Sequence, residues 1–158
     1  MEKMELKYLC GYLPYELRIK WGERIIKMNT GQGSSRYWIG ISSLLKWYNS
    51  DMIEKPIPLL FPLSALTEPF SDGSIPIVEL AKIAFPNEKW IREGDMAISN
   101  EGLWFWYNTE SFGFSCDGKI DNYVPNQLQC FEYLYSIHVD IHGLIPSGLA
   151  FDKRNFKI

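Results

Sequence analysis

Histidine and cysteine, the side chains that most often carry chemistry, are scarce in this chain: two and three among 158 residues. The cysteines, Cys10, Cys116 and Cys130, are odd in number, widely separated and form no Cys-x-x-Cys pair. A disulfide framework or a zinc site needs more ligands at closer spacing, so free, buried thiols in a reducing cytoplasm are expected. No apolar run approaches the length of a spanning helix, which removes a membrane as an expected partner. The opening Met-Glu-Lys-Met-Glu-Leu is acidic where a secretory signal has a basic end. Charge of one sign is also lacking: 16 Lys and Arg stand against 19 Asp and Glu, a formal −3. No stripe of cations stands out, so general nucleic-acid binding is not favoured. The acidity is too slight for a mimic of DNA.

Aromatic residues are plentiful. Six Trp, nine Tyr and nine Phe predict a core built largely from rings, with some ring edges reaching the surface. Hydrophobic residues at 46% and charged residues at 22% exclude disorder and collagen-like structure. The length suits one globular domain over residues 1–158. No internal repeat, low-complexity segment or composition shift marks a boundary.

Tyr15, Leu17, Ile19 and Trp21 alternate with Glu16, Arg18 and Lys20, the period of a half-buried strand, and Pro14 fixes its start. Gly22-Glu23 is a turn, Arg24 to Asn29 pairs back, and Tyr37 to Ile41 supplies a third strand of an antiparallel meander. Ser43 to Tyr48 predicts one or two helical turns. Lys55 to Leu63, with three prolines among leucines, predicts an extended segment laid across the core. Ser71-Asp72-Gly73-Ser74 is a loop that precedes a short helix from Pro76 to Ala84, ended by Pro86. Leu103 to Tyr107 predicts a strand covered on both faces. Asn108 to Ser111 turns the chain, and Phe112, Phe114 and Cys116 share a face of the next strand. Asp117-Gly118 then turns into Lys119 to Tyr123, completing a second meander. From Gln127 to about Ile145 the spacing predicts one long helix, polar only along Gln129, Glu132, Ser136 and Asp140, and ended near Gly143 and Pro146. The expected class is therefore α+β: antiparallel β-meanders packed on a long, largely buried C-terminal helix.

Candidate chemistry is thin. His138 and His142 stand i, i+4, a spacing that can hold zinc on one helical face. On that helix, however, Asp140 points away from both imidazoles, and Val139 occupies the place of a zincin glutamate. Histidines satisfied by backbone or tyrosine are the stronger expectation. Gly31-Gln32-Gly33 lacks the third glycine of a dinucleotide fingerprint, Arg36 standing in its place. Neither a P-loop nor a nucleophile elbow is present. Cys130 lies eight residues before His138 and on another side of the predicted helix. A pocket gathering Arg18, Arg24 or Arg36 with carboxylates would point to an enzyme acting on a small nucleotide. No residue is assigned a catalytic, cofactor-binding or metal-binding role, and no cofactor is expected.

Three blocks carry a resemblance: Leu9-x-x-Tyr12-Leu13-Pro14-Tyr15-x-Leu17, then Lys55-Pro56-Ile57 with Pro62-Leu63-Ser64-x-Leu66-Thr67, then the closing Gln127-Leu128, His138-x-Asp140, Gly143-Leu144-Ile145 and Gly148-Leu149-Ala150-x-Asp152. In that order they resemble a family of small uncharacterised proteins encoded by phages and prophages of Bacteroides and its relatives. Residues near 22–54 and 70–120 diverge, and His142 departs from the aromatic residue expected there. The resemblance implies residence in the cytoplasm of a bacterial host cell and carries no reaction. The expectation is a non-catalytic phage or prophage accessory protein that binds a host or phage macromolecule, with a protein as the favoured partner. The alternative is a nucleic-acid-associated phage factor using exposed aromatics and the basic tail Lys153, Arg154 and Lys157.

Overall fold

Gly22 and Glu23 set the first hairpin. Gly22 takes φ +57, the left-handed conformation that a two-residue turn requires, and Trp21 pairs directly with Arg24. The computed structural model describes residues 3–31, 33–108, 113–118 and 124–156. Over these the chain forms α1 (Leu6–Leu9), a 3-10 helix Cys10–Tyr15, β1 (Arg18–Trp21), β2 (Arg24–Asn29) and β3 (Trp38–Gly40). Next come α2 (Ile41–Tyr48), β4 (Ile57–Leu60), a 3-10 helix Leu63–Thr67 and α3 (Pro76–Ala84). Four strands follow, β5 (Trp90–Glu93), β6 (Met96–Ser99), β7 (Trp104–Asn108) and β8 (Gly113–Asp117). The described chain closes with α4 (Gln127–Ser136), β9 (Phe151–Asp152) and a 3-10 helix Lys153–Asn155. The class is α+β, with two sheets among the described residues.

The chain gathers into two compact units. The first joins residues 1–62 to 135–158, and the second is the continuous stretch 63–134. In the first unit a five-stranded sheet runs β3-β2-β1-β4-β9. Its inner face carries Ile19, Ile26, Met28, Ile39 and Leu60, packed with Leu9, Tyr12, Leu44 and Leu144 into one apolar core. Pro58 sits inside β4 without a donor. The ladder from β4 to β9 begins one residue later, at Leu59, so the missing N–H interrupts none of it. The proline-rich segment is thus the extended, buried element expected, and it serves as an interior strand. In the second unit β5-β6-β7-β8 form an antiparallel meander, and α3 packs across β5, β6 and β7. Its core is aromatic: Phe105 stacks on Phe114 with ring centroids 5.6 Å apart, and Trp90 and Phe85 close around them.

Four sequence expectations need correction. Tyr15 belongs to the 3-10 helix, and Glu16 follows in the left-handed region at φ 52, so the first strand starts only at Arg18. The third strand runs parallel, not antiparallel, to β2. Its preceding loop folds back on it through an antiparallel Ser34–Ile39 bridge and a Gly40 N–H to Gly33 carbonyl bond of 2.8 Å. That local turn reverses the chain before it reaches the sheet. The second meander begins at Trp90, two strands earlier than predicted, around a Gly94-Asp95 turn. The predicted strand Lys119 to Tyr123, and Thr109 to Phe112 of the preceding turn, lie outside the described residues.

The largest correction concerns the C-terminal helix. α4 spans only 10 residues and stops at Ser136. His138 takes φ 61, and its carbonyl accepts from the Phe61 N–H at 2.8 Å. Val139 then bridges Phe61 in parallel, and the Asp140 N–H returns a bond to the Phe61 carbonyl at 2.8 Å. Residues 137–150 form turns and bends around the Val139 bridge, so the apolar spacing there reflects burial without helix. Their apolar side chains fill the same core that a helix would have filled.

Candidate functional site

Asp140 explains the turn that replaces the helix. It is 3% exposed, and its two carboxylate oxygens accept the Leu144 and Ile145 backbone N–H groups at 2.8 and 2.7 Å. A side chain bonded this way competes with helical i to i−4 bonding and satisfies donors that burial would otherwise strand. Beneath it the buried Tyr12 hydroxyl donates to the Val139 carbonyl at 2.6 Å. Tyr12 also meets the Tyr135 ring edge-on at 4.9 Å. Gly11 makes room for that ring, because a Cβ there would overlap Tyr135.

The two histidines are occupied separately. His138 Nε2 donates to the Tyr15 carbonyl at 2.7 Å, which leaves Nδ1 as an acceptor for the Lys153 ammonium at 3.3 Å. Lys153 also lies 4.7 Å over the Phe61 ring. Burial first, and then the Lys153 charge, lower the His138 imidazole to about 4. His142 bonds the Tyr135 hydroxyl at 3.2 Å, and burial lowers it too, partly offset by Asp140. A metal cation at His138 would have to displace an ammonium. Among the described residues no group of three His, Cys, Asp or Glu is placed to hold a metal ion.

The remaining candidates do not converge. Cys130 is buried in the second unit with its thiol on the Leu80 carbonyl at 3.7 Å, and burial pushes the thiol up to about 12. None of the three cysteines is in a disulfide; Cys116 and Cys130 are buried, and Cys10 is exposed, against the expectation of burial. Arg24 lies over the Trp21 ring, Arg36 over Tyr37, and Arg18 on β1, so they gather around no common pocket. The second unit has a cleft of about 280 Å³ between the Leu63–Thr67 turn, Ile77 and Tyr107, with Asp95 as its charged lining residue.

Two features of the first unit stand out. Trp21 and Trp47 pack with ring centroids 4.7 Å apart and planes tilted by 40°, and the Arg24 guanidinium lies 5.5 Å over Trp21. The Trp21 indole N–H donates to the Glu54 carbonyl at 3.2 Å, pinning a loop whose Met52 and Ile53 are 39% and 102% exposed. On the outer face of the sheet, Trp38 lies beside Lys27 and Lys27 opposite Arg18, one row across β3, β2 and β1. Lys20 lies on the same face, between Ile25 and Ile57. Charge is divided between the units. By sequence the first carries twelve Lys and Arg against eight Asp and Glu, a formal +4, and the second four against eleven, a formal −7. The near-neutral total hid this division.

No protein-family model, curated protein or solved structure matches the chain. Among the described residues no helix is long and apolar enough to cross a membrane.

Proposed function

We propose that this chain is a non-catalytic phage or prophage accessory protein that acts by binding a host or phage macromolecule in the bacterial cytoplasm, and that its partner at the Trp21–Trp47 face is a protein. The observation that supports this is the grouping of Trp21, Trp47 and Arg24 beside a loop that leaves Ile53 wholly in water. Trp, Arg and Met are the residues enriched where proteins meet, and rings already packed against each other lose little side-chain entropy on docking. An isoleucine held fully exposed gains nothing for folding and about 2 kcal/mol or more on burial by a partner. The engaged histidines and the high thiol of Cys130 agree with a role without catalysis.

The test is affinity purification from a bacterial host, with and without nuclease, using the wild-type chain and an Ile53→Asp, Trp47→Ala variant. A stoichiometric protein that survives nuclease and disappears with the variant is expected. A protein partner retained by the variant, or the absence of any nuclease-resistant protein partner, would overturn this reading.

A further inference from the structure

The row Trp38–Lys27–Arg18 is costly as a piece of folding. Like charges directly opposite in an antiparallel pair destabilise it by several tenths of a kcal/mol. Here Arg18 faces Lys27 across β1 and β2. Glu16 relieves this in part: its carboxylate pairs with Lys27, and that bond, with a smaller contribution from the Arg18 charge, holds it below the usual carboxylate range. Lys153, just beyond β9, adds a further cation close enough for Arg18 and burial together to lower it. Among the described residues neither Arg18 nor Lys153 forms an ion pair with a carboxylate. Three cations, Arg18, Lys20 and Lys27, and the half-buried Trp38 therefore occupy the outer side of the sheet in the unit that carries the positive charge, while the Lys153 ammonium is engaged by His138 and the Phe61 ring.

We infer that the outer face of the five-stranded sheet binds the phosphate backbone of a single-stranded nucleic acid, Arg18, Lys20 and Lys27 meeting phosphates and Trp38 offering a surface to a base. Cations along a sheet with an aromatic platform are the two components that such binding needs, since every base has a π-face and every nucleotide a charge. Lys27 gives up an exposed ion pair to reach a phosphate, a small loss. The row is only two strand spacings wide, roughly 10 Å, so the footprint is a few nucleotides. The second unit's negative charge keeps long-range attraction weak, so binding is local and sensitive to salt. This inference uses residues other than Trp21, Trp47 and Ile53 and does not depend on a protein partner there.

The experiment is fluorescence anisotropy of a labelled oligothymidine with the full chain. Three phosphate contacts predict a slope of about −2 in log affinity against log salt, so a fourfold rise in salt weakens binding about 20-fold. Arg18→Glu with Lys20→Glu should lower affinity at least tenfold. Arg18→Glu turns a repulsive cross-strand pair into an attractive one, so circular dichroism should show an intact fold and the loss is not unfolding. The same charge change in the second unit, Lys82→Glu with Lys89→Glu, should leave affinity within about twofold of wild type. No binding at low salt, binding indifferent to salt, or equal loss in both double variants would overturn the inference. Duplex DNA bound as tightly as the single strand would overturn the single-strand assignment.

Discussion

At the scale of single residues, His138 shows how a scarce and chemically versatile side chain can be used for structure. Its ring joins three distant parts of the chain: the Tyr15 carbonyl, its own left-handed turn, and Lys153 after β9. Both bonds require the neutral imidazole with its proton on Nε2. Folding therefore lowers the proton affinity of the ring from 6.5 to about 4, through burial above all. A base held low in the folded state contributes its full stability above 6.5 and loses it as pH falls from there through 4. The shift corresponds to about 3 kcal/mol. His142 shifts in the same direction and adds to the loss. The carboxylates of Glu16, Asp72 and Asp152, all held low by their hydrogen bonds, lose their contributions only at more acidic pH. Urea unfolding should accordingly show stability dropping by about 3 kcal/mol between neutral pH and pH near 4. His138→Asn, which tolerates the left-handed backbone, should flatten most of that drop. A level wild-type profile across the window would contradict this account.

At the scale of elements, what the sequence reveals depends on how local the deciding interaction is. The Gly22-Glu23 hairpin and α3 lie where expected, because a turn glycine and a proline at the first helical position act on their own neighbours. The Ser71–Ser74 loop is equally legible: the Asp72 carboxylate accepts from the Ser74 N–H at 2.9 Å. Strand β3 was not legible, since its direction depends on a loop pairing with the strand it precedes. Nor was the end of α4. Apolar residues recurring from Leu128 to Ile145 fit a helix, and only the bonds from Asp140 to Leu144 and Ile145 show why the chain turns instead. The site was legible in part, as satisfied histidines, whereas the Trp21–Trp47 face joins residues 26 positions apart in sequence. Asp140 gives the sharpest test of this scale. Asp140→Ala strands two buried donors and should cost about 3 kcal/mol, while Asp140→Asn keeps one acceptor and should cost about half. If both variants unfold in urea like the wild type, the carboxylate does not hold the turn.

At the scale of the molecule, the second unit is an insertion in the first. It leaves β4 after Pro62 and returns within α4, and its sequence accounts for the whole negative excess of the chain. The ends of the insertion meet in the first unit itself, because Phe61 bonds both His138 and Asp140 across the Val139 bridge. The loop to be closed is therefore short, and closing a short loop costs little entropy. The apolar core around Ile19, Met28, Ile39 and Leu44 is supplied by the first unit alone. Replacing residues 63–134 with a short Gly/Ser linker of about six residues should thus leave a folded protein. The packed Trp21–Trp47 pair should keep its near-ultraviolet dichroism, and amides of β1 and β2 should stay protected from hydrogen exchange. Because the deletion removes a formal −7, the remaining chain becomes basic and should bind oligothymidine more tightly than the full chain at equal salt. A shortened chain that keeps its dichroism but loses oligothymidine binding would place the phosphate contacts outside the first unit. Loss of dichroism and protection together would mean that the five-stranded sheet needs the inserted unit to fold.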